Sequence, residues 1–238
     1  MRINFELRSL FLGMALLVVT VSRTFAADLV YINTNLGKER LLKSQWSDTY
    51  FNLSSYVDTQ ENEGFCGIAS VVASLNSLPH IKKPFSATFW PYSYFTQDDI
   101  FTTNTSSVKG KPAVSASGLT LDQMQQFLKA LEIKSTIYFG DDLAEASLRH
   151  LLKTTLNDAN RRIIVDFSRQ TLKQEGLGHF SPIGAYDADS DSVLILDVAK
   201  FKYPPFWVSL SDLLASIQSV DTDSGKTRGL LVIEAESD

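Results

Sequence analysis

One cysteine and three histidines serve the whole 238-residue chain, and that scarcity excludes several things at once. Cys66 has no partner within the chain, so no intramolecular disulfide forms and the core must hold by packing alone. A single thiol and the scattered His80, His150 and His179 offer no cluster with zinc-ligand spacing, so the chain is expected to bind no metal or other cofactor itself. No run of Lys or Arg is dense enough to follow a phosphate backbone or dock on an anionic bilayer. With a net charge of −5, nucleic-acid and membrane-surface partners are set aside. Internal repeats and low-complexity segments are also lacking.

What remains is the composition of an ordinary globular protein, with 21% charged residues and a mean hydropathy of −0.02, read as one domain over 27–238. Residues 1–26 stand apart. Arg2 and Arg8 precede an apolar run from Leu10 to Val21, and Thr24 and Ala26 put small residues at the −3 and −1 positions of a cleavage site. This is the pattern of a secretory signal, and it predicts an exported chain that starts near Ala27. The apolar run falls short of the roughly 20 residues that cross a bilayer as a helix, so an uncleaved anchor is the weaker reading.

Apolar residues at helical spacing (Ile68, Val71, Val72, Leu75, Leu78) predict a helix from Cys66 to just before Pro79. A second helix is expected over Leu121–Leu131 behind a Thr120/Gln123 capping box, a third over Leu143–Leu156, and a last one over Leu210–Ile217. Strand signals cover Ile163–Phe167, His179–Tyr186, Val193–Val198 and Leu230–Ile233, with a polar turn at Asp187–Ser192. Thr102–Ser117 reads as an exposed loop. Helices first and strands afterwards, with an antiparallel hairpin, predict an α+β fold.

A lone cysteine is by itself more often a small core residue than a nucleophile, so its surroundings decide. Cys66 stands at the expected first turn of a buried helix, where unpaired N–H groups and the helix dipole lower a thiol pKa. His179 opens a strand behind Gly176-Leu177-Gly178, a position suited to a base at a cleft edge, whereas His80 follows Pro79 in a turn and His150 lies among charged neighbours. The turn at Asp187–Ser192 folds the strand ending at Asp197 back beside His179, so the carboxylate can fix the imidazole tautomer and stabilise its cation. Gln60, six residues before Cys66, offers an amide for an oxyanion hole shared with the Cys66 N–H, at the spacing found in papain-like enzymes.

Four ordered segments, Gln60–Leu75 (QENEGFCGIASVVASL), Gly178–Tyr186 (GHFSPIGAY), Leu196–Val208 (LDVAKFKYPPFWV) and Thr227–Gly229 (TRG), resemble the phytochelatin synthases. They resemble in particular the short bacterial forms made of the catalytic domain alone. The resemblance implies a papain-like fold, with Cys66 as nucleophile, His179 as general base and acid, Asp197 as its orienter and Gln60 as oxyanion donor. It implies removal of glycine from glutathione through a Cys66 thioester, with water or a second glutathione as acceptor, and Arg169, Asp221 and Arg228 around the γ-glutamyl end. Heavy-metal ions such as cadmium or zinc would then act through glutathione thiolates. A homodimer, a papain-like peptidase acting on another peptide, and a secreted glutathione- or metal-thiolate-binding protein without turnover all stay open at this level.

Overall fold

The spacing of Ile68, Val71, Val72 and Leu75 is met by a helix in the computed structural model of the protein, which describes residues 28–85 and 89–236. The expected secretory signal lies outside the described residues. In chain order the described α-helices are α1 (Asn35–Lys43), α2 (Asp48–Leu53), α3 (Cys66–Ser77), α4 (Thr103–Ser106), α5 (Lys111–Ser117), α6 (Leu121–Ala130), α7 (Glu145–Thr155) and α8 (Leu210–Ile217). The strands are β1 (Val30–Tyr31), β2 (Lys134–Phe139), β3 (Arg161–Ser168), β4 (Gly178–Asp187), β5 (Ser192–Ile195), β6 (Phe206–Ser209) and β7 (Gly229–Glu234). The strands form one antiparallel sheet in the order β1-β6-β5-β4-β3-β7-β2. This is an α+β architecture, as expected. None of the described helices is long and apolar enough to cross a membrane.

Both faces of the sheet are covered, which explains why its central strands read as continuous apolar runs and not as alternating ones. Ile164 of β3 with Leu231 and Ile233 of β7 pack on one side against Ile68, Val71 and Leu75 of α3 and Met124 and Phe127 of α6. Their neighbours Ile163, Val165, Leu230 and Val232 point the other way, into a second core with Leu148 and Leu152 of α7 and Leu213 and Ile217 of α8. The helix α3 is buried on every side from Cys66 to Asn76. Its serines are tolerated there because Ser70 Oγ donates to the Cys66 carbonyl at 2.7 Å and Ser74 Oγ to the Ser70 carbonyl at 2.8 Å.

Several expectations need correction. Thr102–Ser117 is not a loop throughout: α4 is closed by reciprocal bonds between Thr102 and Thr105 (2.9 and 3.2 Å). The next helix, α5, has Pro112 in its first turn and ends at Gly118, whose φ of 65° lies in the left-handed region. Polar composition hid two helices that hang on caps and on the buried side chain of Val114. The strand expected to reach Val198 stops at Ile195, although Leu196 N still donates to the Pro182 carbonyl at 2.9 Å. Strand β2 interrupts the helical half, and β1, β2 and β6 are not among the expected strands, although residues 136–139 and 206–208 are rich in β-branched and aromatic residues. Helix α7 begins at Glu145 and not at Leu143 because Leu143 and Ala144, which follow a separate 3-10 turn over Gly140–Asp142, are extended.

Arg162 of β3, 1% exposed, secures the far end of α3. Its guanidinium donates to Ser77 Oγ at 2.8 Å and to the Ser77 carbonyl at 2.9 Å, placing a cation at the negative pole of the helix. Burial pushes its pKa down to about 10. Replacing Arg162 with Met orphans those acceptors and is expected to cost about 1–3 kcal/mol. Urea unfolding measures this, and an unchanged midpoint would contradict the role.

Candidate active site

Asn62 opens the turn that delivers Cys66 to the start of α3: its Oδ1 accepts from Gly64 N at 3.0 Å, and a 3-10 turn over Glu63–Phe65 runs directly into the helix. The thiol is therefore the first side chain of a helix whose N-cap, Phe65, supplies no side-chain hydrogen bond. The expected lowering of its pKa is not what results. Burial pushes the Cys66 thiol up to about 11 and the charge of Asp166 adds to this, against opposition from the Phe180 and Gly67 amides and Arg169. Desolvation outweighs the helix start because the residue is only 8% exposed.

His179 comes to Cys66 on β4, which packs against α3. Its ring meets Phe167 edge to face at 5.5 Å between centroids, and its Nε2 lies 2.9 Å from Asp197 Oδ1. With Nε2 engaged by the carboxylate, Nδ1 is the nitrogen left for a reacting partner. Burial pushes the His179 pKa down, against the pull of Asp197. Thiol and imidazole are thus both biased towards their neutral forms.

Asp197 lies beyond the end of β5, is fully buried, and is brought to His179 by the β4–β5 hairpin. Its Oδ1 also accepts from Ala199 N at 2.8 Å. Arg169 Nη2 sits 3.0 Å from Oδ1 and 2.9 Å from Oδ2. Burial alone would raise its pKa, but the His179 hydrogen bond and the charges of His179 and Arg169 hold the carboxyl below its usual range.

Gln60 is reached by a different route. Its backbone N donates to the Val198 carbonyl at 2.9 Å, tying it to the segment that carries Asp197. Gln97 brackets it, accepting from Glu61 N and donating to the Thr59 carbonyl, both at 3.0 Å. The Gln60 Nε2 donates to the Asn62 carbonyl at 2.8 Å, which fixes the amide orientation and leaves its second N–H unspent.

Cys66, His179, Gln60, Arg169, Arg228 and Asp221 all line a single cavity of about 500 Å³, with Asp197 behind it. His80 and His150 are exposed and line no part of it. Arg228 donates from Nη1 to Asp166 Oδ1 at 2.8 Å, and its Nη2 is 3.6 Å from Asp221 Oδ1. Gly178, beside His179 on an extended strand, leaves the space that this guanidinium fills: a Cβ there would lie 2.1 Å from Arg228 Nη1. Arg169 lines the cavity too, but its guanidinium is turned onto Asp197 and onto Gln174, whose Oε1 accepts from Nη1 at 2.7 Å. Among the described residues no group of three or more His, Cys, Asp or Glu is arranged to hold a metal ion.

The sequence pattern missed three contributors. Asp166 looked like one polar residue in an apolar strand, yet it is the buried partner of Arg228, and burial pushes its pKa up to about 7 against the pull of that guanidinium. Gln174 gave no signal. The cavity wall at residues 115–117 was hidden in the segment expected to be a loop.

A thiol at a helix start, an imidazole on the adjoining strand and a buried carboxylate behind it, all around one cavity, form a thiol–imidazole–carboxylate constellation of the kind suited to acyl transfer. The phytochelatin synthase family profile matches residues 20–230, and the chain belongs to that family. It is similar to glutathione gamma-glutamylcysteinyltransferase 2 of Arabidopsis thaliana, 34% identical over 77% of this chain and 39% of that one. It is also similar to glutathione gamma-glutamylcysteinyltransferase 1 of Lotus japonicus, 32% identical over 83% of this chain and 38% of the relative. The glutathione gamma-glutamylcysteinyltransferase of Schizosaccharomyces pombe is 29% identical over 85% of this chain and 48% of its own length. The chain thus spans less than half the length of each of these three relatives.

Two outcomes follow from this geometry. Alkylation of Cys66 by iodoacetamide should keep accelerating as pH rises past 9, towards the raised thiol pKa of about 11. A rate already flat between about pH 5 and 8 would instead reveal a preformed thiolate–imidazolium pair. Gly178→Ala should displace Arg228 and lower stability by about 1–3 kcal/mol, to be read by urea unfolding against wild type.

Proposed function

We propose that this chain is a cysteine-nucleophile acyl transferase of papain-like fold that removes glycine from glutathione. The observation that carries the proposal is that Cys66, His179 and Gln60 share one cavity with the Arg228–Asp221 pair. Glutathione presents an α-carboxylate and an α-ammonium at its γ-glutamyl end, and a guanidinium beside a carboxylate is the complement of that pair.

In the proposed reaction His179 Nδ1 takes the Cys66 proton as Sγ attacks the carbonyl carbon of the Cys–Gly bond. The resulting oxyanion is met by the free Nε2–H of Gln60 and the Cys66 backbone N–H. His179 then returns its proton to the glycine nitrogen, the C–N bond breaks, and a γ-glutamylcysteinyl thioester remains on Cys66. Water, deprotonated by His179, releases γ-glutamylcysteine; the amino group of a second glutathione instead yields a chain longer by one γ-glutamylcysteine unit. Starting from a neutral thiol and a neutral imidazole suits this order, because the proton moves as the C–S bond forms. Heavy-metal ions enter as thiolate complexes of the substrate. The chain works outside the cytoplasm after export.

Wild type is expected to release glycine from glutathione, and Cys66→Ala to release none. His179→Ala should slow release about 10²- to 10⁴-fold. Product masses with and without cadmium separate γ-glutamylcysteine from longer chains. Absence of glycine from wild-type protein with a reduced Cys66 would remove glutathione as the substrate and leave a peptidase on another peptide or a binding protein.

A further inference from the structure

Arg169 is the residue whose surroundings fit its expected task least well. It is 3% exposed, although a group meant to capture a substrate carboxylate needs free N–H donors facing the cavity. Both of its terminal nitrogens are instead engaged by the protein: Nη1 donates to Gln174 Oε1 at 2.7 Å, and Nη2 donates to Asp197 Oδ1 at 3.0 Å and lies 2.9 Å from Oδ2.

The guanidinium also lies over two aromatic rings. Its central carbon lies 5.6 Å from the centre of the Phe167 ring and 5.1 Å from that of Tyr203. The loop that carries it is closed on itself: Arg169 N donates to the Leu177 carbonyl at 2.8 Å, and the Arg169 carbonyl accepts from Gln174 N at 2.9 Å. Glu175 N donates to the Tyr203 hydroxyl at 2.8 Å, which joins this loop to the segment after Asp197. Gly176, at φ 115°, completes the turn in a conformation that side chains rarely adopt, and a Cβ there would press to 3.1 Å from Arg169 Cδ. So much fixation around one side chain gives it a defined orientation towards Asp197.

We propose that Arg169 is a positioning residue for Asp197, and not a ligand for the γ-glutamyl end of the substrate. It donates to Oδ1, the oxygen that His179 Nε2 also meets, and its charge sits 2.9 Å from Oδ2, so that the carboxylate is held against rotation away from His179 Nε2. Gln174 serves the same end one step further out by holding Nη1. The inference rests on the reading of His179 as the proton carrier of Cys66, because only then does the orientation of Asp197 matter to the reaction. Charged and titratable groups acting on Asp197 and its partner are few: His179 from β4, Arg169 from the loop after β3, Tyr31 from β1, and Lys202, which acts on His179.

The test compares glutathione-dependent glycine release by wild type, Arg169→Lys, Arg169→Met and Gln174→Leu across pH. Loss of positioning should lower kcat about 10- to 100-fold in Arg169→Met, with KM for glutathione held within about twofold. The acid limb of the profile should move to higher pH, because the cation that favours ionised Asp197 and neutral His179 is gone. Gln174→Leu should show the same signature at smaller size, and it decides the matter if the Arg169 variants do not fold. A rise in KM with kcat preserved would assign Arg169 to the substrate and overturn the proposal, as would a Gln174→Leu enzyme identical to wild type. Should wild type release no glycine, the proposed function fails by itself. The positioning role is then read from 15N spectra of the His179 ring: in wild type Nε2 carries the proton bonded to Asp197, and the variants should lose that fixed tautomer. An unchanged tautomer in both Arg169→Met and Gln174→Leu would overturn it.

Discussion

A carboxylate taken wholly out of water has to be paired, and the way Asp197 is paired organises the rest of the site. Its partners come from three directions: the imidazole of His179 on β4, the guanidinium of Arg169 from the loop after β3, and the amide of Ala199 on its own segment. Because His179 Nε2 is taken, Nδ1 is the ring nitrogen left for the proposed proton transfer. Because Val198, next to Asp197, accepts the Gln60 N–H, the same segment also fixes the loop that leads into α3 and Cys66. One buried charge thus ties together the strand, the hairpin and the helix start from which the site is built.

Burial has a second consequence at the cavity floor. It raises the Cys66 thiol and lowers the His179 imidazole, which biases both towards their neutral forms, and under the proposed mechanism the ion pair forms as the reaction proceeds. A neutral thiol is a slower target for oxidation than a thiolate, which suits a chain whose single cysteine has no disulfide partner. The dipole of α3 still matters under this description, because it acts on whatever negative charge develops at Cys66, on sulfur or on the oxyanion beside its N–H.

Much of this was legible in the sequence wherever a pattern has a local cause. The α3 helix showed itself by apolar spacing and Pro79, and α6 by its capping box. His179 and Asp197 could be paired because a polar turn between two apolar runs dictates a hairpin. What stayed hidden depends on contacts remote in sequence. Edge strand β1 and its neighbour β6 are only two and four residues long and are set by their neighbours more than by their own residues. The helices α4 and α5 are held by a Thr–Thr cap and a single buried Val. The binding of Arg169 to Asp197, 28 positions away, and of Arg228 to Asp166, 62 positions away, cannot be read from spacing. The pKa of Cys66 was misjudged for a related reason: a helix start is visible in sequence, whereas the depth of burial that overrides it is not.

The central claim is an acyl group carried on Cys66, and mass analysis of protein quenched with acid moments after mixing with glutathione tests it most directly. The account predicts a γ-glutamylcysteinyl adduct on the peptide containing Cys66, removed by hydroxylamine as a thioester should be. Glycine release with no adduct at Cys66, under conditions where an added thioester standard survives, would contradict it.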